Sequence, residues 1–239
     1  MAILEVLKLK VASSPSTSLL VTLAIDEMSI KEGVTHDAAR DIIEGFTDTG
    51  VTRTDTLANL TNVFLVRGVV NKWKQPVAYY LSSGPMSGTL MTQLLFQCIR
   101  ELRQIGLRVV VVVCDQGTNN RNMVQTNLGV TSDRPFFMCD DEKIFMMYDP
   151  PHLVKSIRNN LKKNGFTIDN KDICWEHVRL FFEKDSSKPI RLAPKLTQKH
   201  IEIPPFAHLR VYLATQVLSH SVAAGMSAMA QWEVIPGET

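Results

Sequence analysis

The chain has 239 residues, 45% of them apolar and 21% charged, with a formal net charge of +2. That length holds one large domain, or one domain and part of another, and the balance excludes a disordered chain. No apolar run approaches the roughly 18 residues of a membrane span, so no membrane partner is expected. The first ten residues include Glu5 and lack the basic start and small-residue cleavage site of a secretory signal.

The charge is uneven. Residues 1–148 hold 14 basic and 15 acidic side chains, residues 149–210 hold 12 and 7, and residues 211–239 hold none and 2. The middle segment is therefore the better polyanion surface. Cys98, Cys114, Cys139 and Cys174 are scattered without a C-x-x-C pair. They form neither a zinc signature nor a disulfide framework, and a reducing intracellular location is the natural reading.

Along the chain, residues 1–12 read as the end of a helix and Ser13–Ser18 as a polar linker. A strand is expected over Leu19–Ile30, a turn at Gly33, a short strand over Asp41–Phe46, and a loop over the Thr- and Asp-rich 47–59. Asn62–Asn71 and Gln75–Leu81 read as a hairpin across Lys72-Trp73-Lys74. Leu90, Leu94, Leu95, Cys98, Ile99, Leu102 and Ile105 repeat at helical spacing, and Gly106 ends that helix. Leu107–Asp115 is a run of branched apolar residues, the mark of a strand buried on both faces. A short helix over Thr118–Leu128 and strands at Phe136–Met138 and Ile144–Tyr148 follow. Three more helices are expected: one opened by Asp149-Pro150-Pro151 and closed by Gly165, one over Asp172–Lys184, and one over Phe206–Gln231. The order is three strands, helix, strand, helix, strand, helix. An antiparallel meander followed by a parallel strand after a helical crossover is the ribonuclease H-like plan, an α/β fold with a mixed five-stranded sheet flanked by helices.

Two acids stand where such sheets put their chemistry. Asp26 follows the apolar run Leu19–Ile25, and Asp115 follows Val109–Cys114. If the two strands are parallel neighbours, both carboxylates reach one end of the sheet and can hold hard divalent ions. Strand-end acids in a solvated loop are the other reading, and both stay open at this point. The segment Asp115-Gln-Gly-Thr-Asn-Asn lacks the Lys-Ser/Thr of a P-loop. On the helix after Asp149, Leu153, Val154, Ile157 and Leu161 form the expected core face. Lys155, Arg158 and Lys162 fall at i, i+3 and i+7 on another, as a basic stripe for a DNA backbone or as a solvated face.

Several longer motifs occur in order: Ile25-Asp-Glu-Met-Ser-Ile30, Asp41-Ile-Ile-Glu-Gly-Phe46, Lys74-Gln-Pro-Val-Ala-Tyr-Tyr80, Val113-Cys-Asp-Gln-Gly-Thr-Asn-Asn120, Asp149-Pro-Pro-His-Leu153, Arg191-Leu-Ala-Pro-Lys-Leu196 and Leu213–Gly225. Over about residues 15–228 the chain resembles the P-element and THAP-domain transposases. The resemblance implies a ribonuclease H-like catalytic domain at 15–165, after an N-terminal leader or helix remnant at 1–14. A partial helical GTP-binding insertion domain at 166–239 would follow. It implies a DDE-type DNA transposase acting by Mg²⁺- or Mn²⁺-dependent phosphodiester cleavage and strand transfer, with Asp26 and Asp115 as the first two acids and metal ligands. Lys195 and Lys199 are the positions it suggests for GTP phosphate contact.

The family's third acid, a Glu, follows the insertion. None of Glu176, Glu183, Glu202, Glu233 or Glu238 stands in its context, so these residues alone are expected to be inactive. The zinc-finger spacing of the THAP domain is absent from the sequence. The partners implied are transposon-end DNA and an oligomer or full-length transposase, in the nucleus. The alternative is a domesticated, non-enzymatic protein that binds nucleic acid or a transposase.

Overall fold

Val21, Leu23 and Ile25 alternate with less buried neighbours and build a central strand whose one face is core. The computed structural model describes residues 2–13, 15, 19–39 and 41–235, so most of the linker expected at Ser13–Ser18, and Glu238, lie outside the described residues. The chain divides into two compact units, Met1–Asp149 and Pro150–Thr239. The boundary read from sequence, after residue 165, falls at the end of the helix that opens the second unit.

The first unit begins with helix α1 (Ala2–Ala12), which buries Leu7 in the core. Strand β1 is Leu20–Ser29. Short strands β2 (Thr35–Asp37) and β3 (Ile42–Glu44) pair with each other, and β4 (Phe46–Asp48) and β5 (Arg53–Leu57) form a second hairpin. The segment 47–59, expected as a loop, therefore contains a strand. Arg53 to Thr56 are all exposed, so no buried alternation marks it; only its Thr content favours an extended chain. Strands β6 (Leu60–Gly68) and β7 (Lys74–Ser82) form the expected hairpin.

Helix α2 (Gly88–Gln104) starts at Ser87, whose hydroxyl accepts from the Leu90 amide, and buries Leu94, Leu95, Cys98, Ile99 and Leu102. It stops at Gly106, which takes φ +92°, a left-handed conformation that a side chain would strain. Strand β8 is Arg108–Cys114. The one-turn helix α3 (Thr118–Arg121) runs into a π-helical segment, Asn122–Asn127. Strands β9 (Phe136–Cys139) and β10 (Glu142–Tyr148) close the unit.

The sheet has eight strands among the described residues, in the order β5-β4-β7-β6-β1-β8-β10-β9. Its middle five, β7-β6-β1-β8-β10, are the expected ribonuclease H-like set: β1, β6 and β7 are antiparallel, and β8 and β10 run parallel to β1. The β4–β5 hairpin extends one edge and β9 the other. The core lies between one sheet face and α2, around Leu23, Phe64, Leu95, Val112, Phe137 and Ile144.

The second unit opens with helix α4 (Pro150–Asn164), ended by Gly165 at φ +69°. Strands β11 (Phe166–Ile168) and β12 (Lys171–Ile173) form a hairpin not foreseen from sequence. Its two turn residues, Asp169 and Asn170, have φ +53° and +61°, the pair of left-handed conformations that a tight two-residue hairpin demands and that Asp and Asn tolerate. Helix α5 (Trp175–Ser186) thus starts three residues later than expected, because Lys171–Ile173 is taken by the hairpin.

A short helix α6 (Gln198–Ile201), a 3₁₀ turn (Ala207–Leu209), α7 (Val211–Val217) and α8 (His220–Gln231) complete the unit. The single helix expected over Phe206–Gln231 is therefore broken. Ser219 restarts it, its hydroxyl accepting from the Val222 amide at 3.4 Å. Asp185, wholly buried, ties the segment after α5 to it: it accepts from Arg191 Nε (3.1 Å) and from the Leu192 (2.7 Å) and Ala193 (3.3 Å) amides.

Candidate functional site

The parallel ladder of β1 and β8 pairs Ala24 with Val113. Asp26 and Asp115 each follow two residues later, so both acids leave neighbouring strands at the same end of the sheet. The strand-end reading made from sequence thus acquires a common location. The antiparallel ladder of β1 and β6 decides which side chains share a face: Ile25 pairs with Phe64 and Glu27 with Asn62, whereas Asp26 pairs with Val63. Glu27 and Asn62 therefore lie on the side of the buried Ile25 and Phe64, under α2, and Asp26 lies on the opposite side, exposed to solvent.

Asp115 begins the connection to α3. Its Oδ1 accepts from the Gly117 amide at 2.9 Å and from Asn120 Nδ2 at 2.6 Å. This turn fixes the carboxylate while leaving its second oxygen outside those two bonds. Asp115 borders a concavity of about 430 Å³ that Glu27, Asn62, Met91, Gly117 and Asn120 also line. Asp26 is not among the lining residues. The two acids singled out from sequence are thus brought to one end of neighbouring strands.

Glu27, Asn62 and Asn120 were not foreseen as site residues. Glu27 directly follows Asp26, and its assignment to the other face was readable once β1 was aligned with β6; Asn120 carried no signal beyond its place five residues after Asp115.

The donors at this end of the sheet are carboxylate and amide oxygens, which suit a hard divalent ion in kind. Among the described residues no three His, Cys, Asp or Glu side chains form a group that would hold a metal ion. The neighbouring thiol is no competitor: burial pushes Cys114 up to about 12, so it stays protonated at neutral pH. The Asp149 amide donates to the Cys114 carbonyl at 2.8 Å, which places the backbone of a further acid beside the end of β8.

In the second unit the expected basic stripe does not form. Arg158 is fully buried, with Nη2 on the His208 carbonyl and Nε on Asn159 Oδ1, both at 2.8 Å, and its burial lowers its pKa. Lys162 donates to the Ile201 carbonyl at 3.1 Å and stands over the Trp175 ring. Desolvation first, and then the charge of Arg158, lower its pKa. Lys155 is half-buried. Helix α4 is turned from the expected orientation, with Ile157 outward and Arg158 inward, because the guanidinium finds a carbonyl acceptor in the interior.

A second concavity of about 360 Å³ is lined by Lys195, Thr215, Gln216, Ser219 and Ser221, at the start of α8. Lys199 lies on α6 and is not among the residues that line it. Beneath it, buried His200 is held by Gln216 Oε1 at 2.7 Å from Nε2 and by the Thr197 amide, which donates to Nδ1 at 3.0 Å.

Comparison with known proteins gives a consistent picture. Residues 1–129 match the TNP-like RNase H N-terminal domain, and residues 151–236 match the TNP-like GTP-binding insertion domain. The chain is 30% identical over 210 residues to the transposable element P transposase of Drosophila melanogaster, covering 87% of this chain and 26% of that protein. It is 26% identical over 230 residues to the Homo sapiens DNA transposase THAP9, covering 90% of this chain and 25% of that protein. Among solved structures it resembles the Drosophila P element transposase strand transfer complex with a TM-score of 0.76 and 26% identity, over 96% of this chain and 49% of that one. The chain spans about a quarter of the length of the curated relatives it matches.

Proposed function

We propose a function from the family to which this chain belongs, the TNP-like proteins that carry an RNase H N-terminal domain and a GTP-binding insertion domain. The chain carries part of the catalytic region of a P-element-like DNA transposase. The observation that carries this reading is the pairing of Ala24 with Val113, which brings two acids of family-like context to one end of parallel neighbouring strands.

In this reading Asp26 and Asp115 hold Mg²⁺ or Mn²⁺ through oxygen ligands. An ion held by these carboxylates would supply activation of a water or a DNA 3′-hydroxyl and would offset charge on the phosphodiester. The chain's own contribution is positional. The β1–β8 ladder fixes the spacing of the two acids, and the Gly117 and Asn120 hydrogen bonds hold the Asp115 carboxylate in one orientation.

A third carboxylate is lacking in residues 1–239, and catalysis by these residues alone is accordingly slight. DNA is the substrate, and the protein works in the nucleus with a full-length transposase or as an oligomer. GTP is taken by the second unit, where Lys195 and the serines at the start of α8 suit a phosphate. The buried Arg158 and the engaged Lys162 remove the support that a basic helix would have lent to a purely DNA-binding role.

The test is Mn²⁺ titration calorimetry on the chain and on Asp26→Asn and Asp115→Asn. Binding weakened in both variants is the expected result. Equal affinity in wild type and both variants overturns the reading.

A further inference from the structure

Helix α6 opens with Thr197-Gln-Lys-His200, the spacing of a capping box in which His stands where Glu or Gln is usual. His200 fills that place by accepting: the Thr197 amide points its hydrogen at Nδ1, 3.0 Å away. A ring nitrogen that accepts from a backbone N–H carries no hydrogen of its own, so the ring is neutral with its hydrogen on Nε2. The Thr197 carbonyl also lies 3.2 Å from Nδ1, but it already accepts from the His200 amide at 2.8 Å and needs no ring hydrogen.

Nε2–H therefore donates to Gln216 Oε1, at 2.7 Å. The ring is buried, 3% exposed, and held at both nitrogens, so the carboxamide oxygen of Gln216 has a fixed place. Its nitrogen then takes the other side. That nitrogen bonds to no described residue and is not among the buried atoms that lack a partner, so it is open to a ligand. Gln216 lines the concavity beside Lys195.

The remaining lining agrees in sign. It contains Lys195, Thr215, Ser219 and Ser221 and no Asp or Glu. Thr215 spends its hydroxyl hydrogen on the Tyr212 carbonyl at 3.0 Å. Ser219 Oγ accepts from the Val222 amide, which leaves its own hydrogen to give. A hydrogen on Nδ1 of His200 would reverse the order: Gln216 would turn its nitrogen to the ring and its oxygen, with its negative partial charge, to the concavity.

We propose that His200 is a positioning residue whose tautomer sets the Gln216 carboxamide, and that Gln216 thereby donates to an anionic phosphate oxygen of the ligand. The proposal rests on the reading of this concavity as the GTP site and deepens it. Gln216 touches the ligand, and His200 acts only through Gln216.

Two measurements on the full chain test this. Long-range ¹H–¹⁵N correlation, with the His200 signals assigned by their loss in His200→Gln, should show the ring hydrogen on Nε2; a hydrogen on Nδ1 overturns the proposal. Calorimetry then follows GTP, and inorganic triphosphate as the phosphate chain alone, into wild type, Gln216→Met, His200→Leu and His200→Gln, with circular dichroism checking each fold. Gln at 200 suits the capping box and keeps both an acceptor and a donor. Gln216→Met and His200→Leu should each weaken both ligands about tenfold, the loss of one hydrogen bond to a charged group, and His200→Gln should recover most of that. Equal affinity in wild type, Gln216→Met and His200→Leu overturns the proposal and leaves the GTP reading standing. His200→Gln as weak as His200→Leu makes the ring merely structural and overturns it too. No binding of either ligand by the folded wild type overturns the GTP reading and the proposal together. If His200→Leu does not fold, Gln216→Met and His200→Gln decide: full affinity in Gln216→Met overturns the proposal.

Discussion

Cys98 and Tyr80 lie against the same face of the sheet, and burial is the first cause of what happens to both. The Cys98 thiol rises from an ordinary 9.0 to about 12 and the Tyr80 phenol from 10.0 to about 12, with Glu101 adding repulsion; Cys114 rises to about 12 as well. These groups are neutral in the folded state and ionise more easily in the unfolded chain. Their contribution to stability is complete below about pH 9 and is lost as the pH climbs from 9 towards 12. The urea midpoint should fall steadily across that window, and Cys98→Ala should flatten part of the slope; a midpoint unchanged between pH 8 and 11 would contradict this. At pH 8 thiol reagents should modify half-exposed Cys174 first and spare Cys98, Cys114 and Cys139 until the chain opens. Asp185 is a different kind of buried group, charged and bound by one guanidinium and two amides. Asp185→Ala removes the carboxylate facing Arg191, whose Nη2 keeps the Ala193 and Leu196 carbonyls, and takes the acceptor from the Leu192 and Ala193 amides; it should cost about 3 kcal/mol in denaturant unfolding. The two aspartates of the candidate site were readable from sequence because each ends an apolar run. Glu27 and Asn62 were not, because which face a strand residue takes depends on the register with its neighbour. Arg158 misled for a related reason: helical spacing marks a face, but only the His208 carbonyl makes the interior hospitable to a guanidinium.

Helix α8 packs on α5 at Gly225. A Cβ there would lie 2.7 Å from Cζ and 2.9 Å from Cε2 of Phe181, a wholly buried ring, and 3.2 Å from Leu192 Cβ. Glycine to alanine inside a helix ordinarily gains about 1 kcal/mol. Here the ring must shift within a filled core, at a cost of about 1–3 kcal/mol. Gly225→Ala should therefore lower stability, by about 1 kcal/mol net, in urea unfolding; a rise would show that Phe181 has room. The same packing explains which elements sequence could anticipate. α2, β1, β6, β7 and β8 each carry a strong apolar period and were read to within a few residues. The strand β5 and the hairpin β11–β12 have mostly exposed side chains, so no burial pattern betrays them. The break between α7 and α8 was hidden because Ala, Leu and Val continue the helical composition straight through Ser219, and only the capping bond to Val222 identifies a new start.

The buried side chains fall into two clusters that share no residue. One runs from Leu7 to Met146 around the sheet and α2, and the other from Leu161 to Ile235 among the helices of the second unit. Each unit therefore has the means to lose its packing separately, and a single two-state transition is not the natural expectation. The tryptophans make this measurable. Trp73 sits beside the first core, whereas Trp175 and Trp232 belong to the second unit. In Trp73→Phe, tryptophan emission reports the second unit alone, while far-ultraviolet circular dichroism reports both. The two urea curves should not coincide, and the sheet unit, with the larger buried cluster, should show the steeper dependence on urea. Coincident curves with one slope would mean that the units unfold as one. The proposed GTP site sharpens the test, because a ligand stabilises only the part whose folded form binds it. At 100 times its dissociation constant GTP should raise the second-unit transition by about 2.7 kcal/mol and leave the first where it was. Lys195→Ala, which removes the cation lining that concavity, should abolish the shift without moving the transition measured in the absence of GTP.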